Sequence, residues 1–255
     1  MITGDPADPA QKKKRPAEAG RQAGDAISSG ACPTETLVTP AAQEENLKKS
    51  ARVIAYIDGF NLYFGLKSKG WKRYYWLDLC ELCRRLLKPG QVLEAVKYFT
   101  SRVSPTPGDP DQGKRQGTYL EALEAQSGIK TVLGHYLPKD RSCRRCGSQW
   151  QTFEEKQTDV NIAVEMLADA HADLFDTALL ISADSDLSAP IEKIRILFPD
   201  KRVVVAFPPA RRSGQLQKLA HGCFTIGEAN IRNSLLPDPV VKSSGFPLMC
   251  PSKWA

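Results

Sequence analysis

The stretch ALLISADSDLSAPIEKI, residues 178–194, decides how the chain folds. Three apolar residues, Leu179 to Ile181, run into Ser182. Two carboxylates follow, Asp184 and Asp186, before amphipathic helical spacing resumes. A short apolar run bounded by a polar turn and a helix is the pattern of a strand covered on both faces. The same alternation extends in both directions. RVIAYID (Arg52 to Asp58) reads as a first strand, WLDLCELCRRLLK as an amphipathic helix stopped by Pro89-Gly90, and LEAVKYFTSRV as a second strand. KRQGTYLEALEAQ predicts a helix closed by Gly128, KTVLGHYL a third strand, and DVNIAVEMLADAHADL a further helix. After the strand TALLISA come the helix APIEKIRILF, the strand RVVVAF, a short helix SGQLQKLA, an edge strand CFTI and a terminal helix GEANIRNSLL. Strands alternating with helices predict an α/β fold, a mostly parallel central sheet with helices on both faces.

In such a fold functional groups gather at the carboxyl ends of the strands, near the point where strand order reverses. Asp58 ends the first strand, and Asp184 and Asp186 follow the fourth. If those strands are neighbours, three carboxylates converge. Clustered carboxylates repel one another, and a hard divalent cation, Mg²⁺ or Mn²⁺, relieves the repulsion by taking oxygen ligands. No His- or Cys-rich set sits at these positions, which argues against zinc there. Asp159, at the start of a helix, is a fourth candidate, and Asn61 is expected to be aimed into the cleft by a tight turn at Gly59. Each residue also has an ordinary structural use. Asp58 and Asp159 suit a helix start, Asp184 and Asp186 suit a turn, and Ser182 suits either a strand-to-helix cap or contact with substrate.

The segments VIAYIDGFNLYFGL, EEKQTDVNIAVEMLADA and ALLISADSDLSAPIEKIR, in this order, resemble the NYN domain of the PIN-like nuclease superfamily, in its LabA/DUF88 branch. The resemblance runs from about Arg52 to Leu236. It implies a Rossmann-like PIN fold, an acidic cleft binding Mg²⁺ or Mn²⁺, and hydrolysis of RNA phosphodiesters. By its motifs, Asp58, Asp159, Asp184 and Asp186 hold one or two metal ions, Asn61 orients phosphate or water, and Lys156 lies near substrate phosphate. The expected activity is that of a metal-dependent endoribonuclease on single-stranded RNA. Two rival readings are a non-catalytic RNA- or protein-binding regulatory module of the same fold, and an aspartyl-phosphate fold. The second rival wants another aspartate two positions after Asp58, where Phe60 stands.

The loop KDRSCRRCGSQW holds Cys143 and Cys146 in a Cys-x-x-Cys-Gly knuckle. A tetrahedral zinc site needs four ligands, and no second knuckle follows. A half-site completed by His135 or another subunit and a reduced pair both remain open. Cys80 and Cys83 lie on an apolar helical stripe and read as core. Arg144 and Arg145, with Trp150 and Phe153 beyond, suit a single-stranded nucleic acid through phosphate neutralisation and base stacking. Arg211 and Arg212, after the fifth strand, suit a second phosphate contact.

Composition permits these readings. The 255 residues carry 35 Lys+Arg against 29 Asp+Glu, a net charge of +6. Residues 1–50 hold seven basic and seven acidic side chains, so the excess belongs to the rest of the chain. A modest basic excess permits a polyanionic partner. Residues 1–50 lack the apolar content to offset chain entropy and read as a disordered tail; 51–236 read as the domain, and 237–255, rich in Pro and Ser, as a loose tail. No apolar run approaches a membrane span and no secretory signal is seen, so a cytoplasmic protein with reduced cysteines is expected. A homo-oligomer is compatible with all of this.

Overall fold

The computed structural model describes residues 50–254 apart from Pro107, Ser127 and Arg144; at 135–140 and 150–156 it describes the backbone alone. The tail expected over residues 1–50 therefore lies outside the described residues but for Ser50.

Six strands form one parallel sheet: β1 (Ala51–Asp58), β2 (Gln91–Thr100), β3 (Ile129–Leu133), β6 (Thr177–Ile181), β7 (Arg202–Phe207) and β8 (Gly222–Thr225). Their order across the sheet is β3-β2-β1-β6-β7-β8. The chain therefore builds outward from β1 in one direction, then returns to the other side of β1 and builds the opposite way. That reversal places the carboxyl ends of β1 and β6 side by side, with Ile57 opposite Ile181 and Asp58 opposite Phe99 of β2.

β1 shows why a nearly continuous apolar run is needed. Val53, Ala55 and Ile57 join the core on one side of the sheet, while Ile54 and Tyr56 join the core on the other. Helices α1 (Gly59–Ser68), α2 (Leu79–Leu86) and α3 (Gln112–Ala125) cover the first side, burying Leu62, Leu66, Leu82 and Leu123. Helices α4 (Thr158–His171), α5 (Ser188–Leu197) and α6 (Gly214–Leu219) cover the second through Ile162, Met166, Ile191, Ile194 and Leu216. A short helix α7 (Glu228–Arg232) returns to the first side with Ile231. Cys80 and Cys83 are buried in the first core, as their helical spacing predicts. No helix among the described residues is long and apolar enough to cross a membrane.

Three elements differ from the sequence reading. The run expected as one third strand, KTVLGHYL, is broken at Gly134: β3 stays in the sheet, and β4 (His135–Ser142) leaves it to pair antiparallel with β5 (Gln149–Lys156). The Cys-x-x-Cys loop is therefore the tip of a hairpin. The segment after Asp58 is helix α1, in which Leu62 and Leu66 are buried but the aromatic Tyr63 and Phe64 are exposed, so that no clear amphipathic pattern results. The stretch from Pro237 is not loose. Val240 and Leu248 are buried in a small pairing of β9 (Val240–Val241) with β10 (Pro247–Leu248), and the Trp76 indole donates to the Pro237 carbonyl at 3.0 Å. Trp254 packs edge-on against Tyr75 and Tyr119. A few large side chains outweigh the turn-rich composition, since each buried aliphatic contributes roughly 1.5–3 kcal/mol.

Candidate active site

Asp58 is the hinge between β1 and α1 and is 3% exposed. It caps the helix: its Oδ1 accepts the Asn61 backbone N–H at 3.0 Å, and its Oδ2 accepts the Asn61 side-chain amide at 2.6 Å. Ser182, fully buried at the end of β6, donates its hydroxyl to the same Oδ2 at 2.8 Å and accepts the Asp184 N–H at 3.0 Å. Ser182 thus ties the two neighbouring strand ends together. Asp184 in turn accepts the Asp186 N–H at 3.0 Å and opens the 3-10 turn Ser185–Leu187. Capping is thus what fixes the direction of the Asp58 and Asp184 carboxylates.

The residue after Asp58 is glycine for a reason other than the tight turn its type suggests. A Cβ at Gly59 would lie 2.8 Å from the Phe99 carbonyl oxygen and 2.8 Å from the Tyr98 ring, so only glycine lets α1 start this close to β2. Asp159 arrives from the second side, in the first turn of α4, just after Gln157 in the left-handed conformation (φ 75°).

The electrostatics join the four acids. Burial pushes the Asp58 carboxyl up, and the charge of Asp184 adds to the rise. Burial, then the charges of Asp58, Asp184 and Asp186, push half-buried Asp159 up to about 6. A hard divalent cation fits such a set, which offers oxygen donors alone. Among the described residues no three Asp, Glu, His or Cys side chains already stand in a ligand shell. Asp58 turns both oxygens to Asn61 and Ser182.

Opposite the acids, Arg211 donates to the Asn61 side-chain oxygen at 2.9 Å and lies over the Phe64 ring at 5.6 Å. Asn61 is thereby fixed from both ends, its amide nitrogen on Asp58 and its oxygen on Arg211. Arg212 is exposed. This Arg211–Asn61 link was not legible in the spacing of residues 150 positions apart.

The hairpin tip is separate chemistry. Cys143 and Cys146 share a tight turn in which the Gly147 N–H donates to the Cys143 carbonyl at 2.8 Å. Cys146 is exposed, and its thiol, 3.1 Å from the Ser148 hydroxyl, is lowered to about 7 by hydrogen bonding to Ser148. Two thiols are half of a tetrahedral set, and the described residues do not complete it. Arg145 is exposed. Arg144 and the Lys156 side chain lie outside the described residues.

Asp159 carries a pH prediction. A carboxyl raised in the folded state binds its proton more tightly folded than unfolded, so ionising it opposes folding. In EDTA the melting temperature is expected to fall as pH rises from about 4 through about 6 and to level off above. Half-exposure screens the effect. Asp159→Asn is expected to flatten that fall; a melting profile identical to wild type would refute the coupling.

Comparison with known proteins follows this geometry. The family described as NYN domain matches residues 52–227. Over 206 residues the chain is 30% identical to a Pseudomonas putida protein named 6-hydroxy-3-succinoylpyridine 3-monooxygenase, a match covering 67% of this chain and 65% of that relative's length. A crystal structure of a Vibrio parahaemolyticus protein of unknown function aligns with a TM-score of 0.46 at 19% identity, covering 74% of this chain and 98% of that one.

Proposed function

The chain belongs to the NYN domain family, and from that premise we propose that it is a divalent-metal-dependent endoribonuclease hydrolysing single-stranded RNA. One observation carries the proposal: carboxylates from β1, the α4 start and the loop after β6 lie close enough that, beyond burial, the charge of Asp184 raises the proton affinity of Asp58 and the charges of Asp58, Asp184 and Asp186 raise that of Asp159, as in an acid cluster awaiting a cation. Asp58, Asp159, Asp184 and Asp186 would hold one or two Mg²⁺ or Mn²⁺ ions. When bound, the cation neutralises charge on the phosphate and acidifies water for attack.

The chain's own residues then do the positioning. Asn61, held by Asp58 and Arg211, presents its amide edge to the scissile phosphate. The Arg211 guanidinium, seated on Phe64, neutralises the phosphate beside it, and exposed Arg212 takes the next. Ser182 keeps Asp58 and the Asp184 loop in register and touches no substrate.

The test is cleavage of a labelled single-stranded RNA with Mn²⁺, with Mg²⁺ and with EDTA, wild type beside Asp184→Asn. Cutting that needs metal and vanishes in the variant is the expected result. RNA binding without cutting under every metal condition would overturn the proposal in favour of the binding module.

A second reading has its own observation, the 30% identity to a protein named a monooxygenase. Under it, the chain would put one atom of O₂ into a heteroaromatic ring and reduce the other to water with two electrons from an added donor, and substrate-dependent O₂ consumption in the presence of that donor would replace RNA cleavage as its measurable activity.

A further inference from the structure

A cavity of about 230 Å³ opens on the first side of the sheet. Gly59, the residue after Asp58, lies in its wall, and the carboxyl end of β2 contributes Tyr98 and Thr100. Aromatic rings, among them Tyr63, Phe64, Tyr75, Tyr119 and Trp254, form much of the remaining wall beside aliphatic and polar residues. These rings are not loosely arranged. Tyr63 meets Tyr75 with centroids 5.0 Å apart, Trp254 stands edge-on to Tyr75 at 5.7 Å and to Tyr119 at 6.1 Å, and the Tyr119 hydroxyl donates to the Leu77 carbonyl at 2.8 Å. Close-packed cores fill such voids, because an empty one forfeits dispersion contacts. Walls locked by ring contacts and a hydrogen bond keep this one open.

The cavity also has a polar anchor. Arg115 pairs with Asp109 through its terminal nitrogen, and Asp109 pairs with Lys253 at 3.1 Å, so two cations share one carboxylate. The Arg115 Nε–H is buried and has no hydrogen-bond partner. A buried unpaired donor on a charged group is costly, and Arg115 also lines the cavity, where its guanidinium charge can meet an acidic ligand. A largely apolar cavity with a few polar groups, here Arg115 and Asp109 with Lys67, Gln112 and Gln116, is the usual form of a small-molecule subsite.

We propose that this cavity binds a planar heteroaromatic ring bearing an acidic group, with the ring among the aromatic walls and the acid on Arg115. Stacking supplies affinity without demanding one particular ring, and the guanidinium selects the negative charge. Two sources share this chemistry: a nucleotide, whose base would occupy the cavity, and a free heteroaromatic carboxylate. The site does not depend on strand cleavage at the carboxylates.

The experiment titrates uridine monophosphate and pyridine-3-carboxylate separately into the full chain in EDTA, followed by calorimetry and by tryptophan fluorescence. Saturable binding of at least one is expected. Arg115→Gln should weaken it about 10- to 100-fold, the loss of a charge-assisted hydrogen bond. Trp254→Ala, which keeps Arg115 in place, should weaken it about fivefold. Asp109→Asn frees Arg115 from its carboxylate and should tighten binding, which a merely structural role for the pair would not do. Binding of the nucleotide alone assigns the cavity to a base of a strand, binding of the carboxylate alone assigns it to a free small molecule, and binding of both supports the shared subsite. No saturable binding of either probe, or binding indifferent to Arg115→Gln and Asp109→Asn, overturns the proposal.

Discussion

Asp58→Asn is expected to slow RNA cleavage by about 1000-fold or more, roughly 4 kcal/mol of barrier. The expectation rests on where the new amide would have to sit. The Asp58 Oδ2 accepts from both the Asn61 side chain and Ser182, so an NH₂ group at that position faces two donors. Ser182 can answer by rotating its hydroxyl. In that orientation Asn61 must turn its amide over, which brings its nitrogen against the Arg211 guanidinium that its oxygen now accepts from, and in the opposite orientation the new NH₂ meets the Asn61 backbone N–H that caps on Oδ1. One substitution therefore removes a buried negative charge and misaligns the two residues proposed to hold the phosphate. Single-turnover rates at saturating Mn²⁺ measure the loss, and RNA affinity is expected to move less than about tenfold. A rate within tenfold of wild type would show that Asp58 has no part in the chemistry.

Asp169→Ala is expected to lower the free energy of unfolding by about 3 kcal/mol without touching the acid cluster. Asp169 sits on α4 below Asp159 and is 5% exposed. It accepts the Tyr56 hydroxyl at 2.6 Å and the Lys97 ammonium at 2.8 Å, and Glu165 completes the group around Lys97, itself 8% exposed. Burial and the neighbouring Asp169 push the Tyr56 phenol up, so it remains a donor. Alanine would leave that phenol unpaired in the core and Lys97 with one carboxylate instead of two. Asp169→Asn keeps an acceptor for Tyr56 and should cost less. Urea unfolding of the three proteins separates these contributions; a loss below 1 kcal/mol for alanine would mean that the network relaxes around the gap.

The parallel sheet was legible because β1 and β6 are buried on both faces and so lack polar interruptions. The convergence of Asp58, Asp184 and Asp186 followed once those strands proved to be neighbours. The hairpin was not legible, because KTVLGHYL shows no break in apolar character where Gly134 turns the chain out of the sheet, and the β5 sequence QWQTFEEK is largely polar. Helix α1 was hidden by aromatic residues on its exposed face, with Tyr63 and Phe64 both exposed. Those exposed rings have a use that periodicity cannot display, since Tyr63 and Phe64 wall the aromatic cavity. Nor could local pattern show that Ser182 bridges two strand ends, or that the Pro- and Ser-rich end of the chain returns to place Trp254 against Tyr75 and Tyr119. Those are long-range placements.

The strand order has a consequence for how the site is lost. β1 and β6 lie in the middle of the sheet, and their amides are expected to exchange with deuterated solvent only by global opening. The β4–β5 hairpin pairs with no other strand among the described residues, and a two-stranded ribbon alone is marginal. It joins α4 through Gln157, two residues before Asp159. The four acids are thus split between the slowest-exchanging part of the molecule and the foot of one of its fastest. On warming, Asp159 should part from the other three while the sheet is still intact, so that the protein forgets its chemistry at a lower temperature than it forgets its fold.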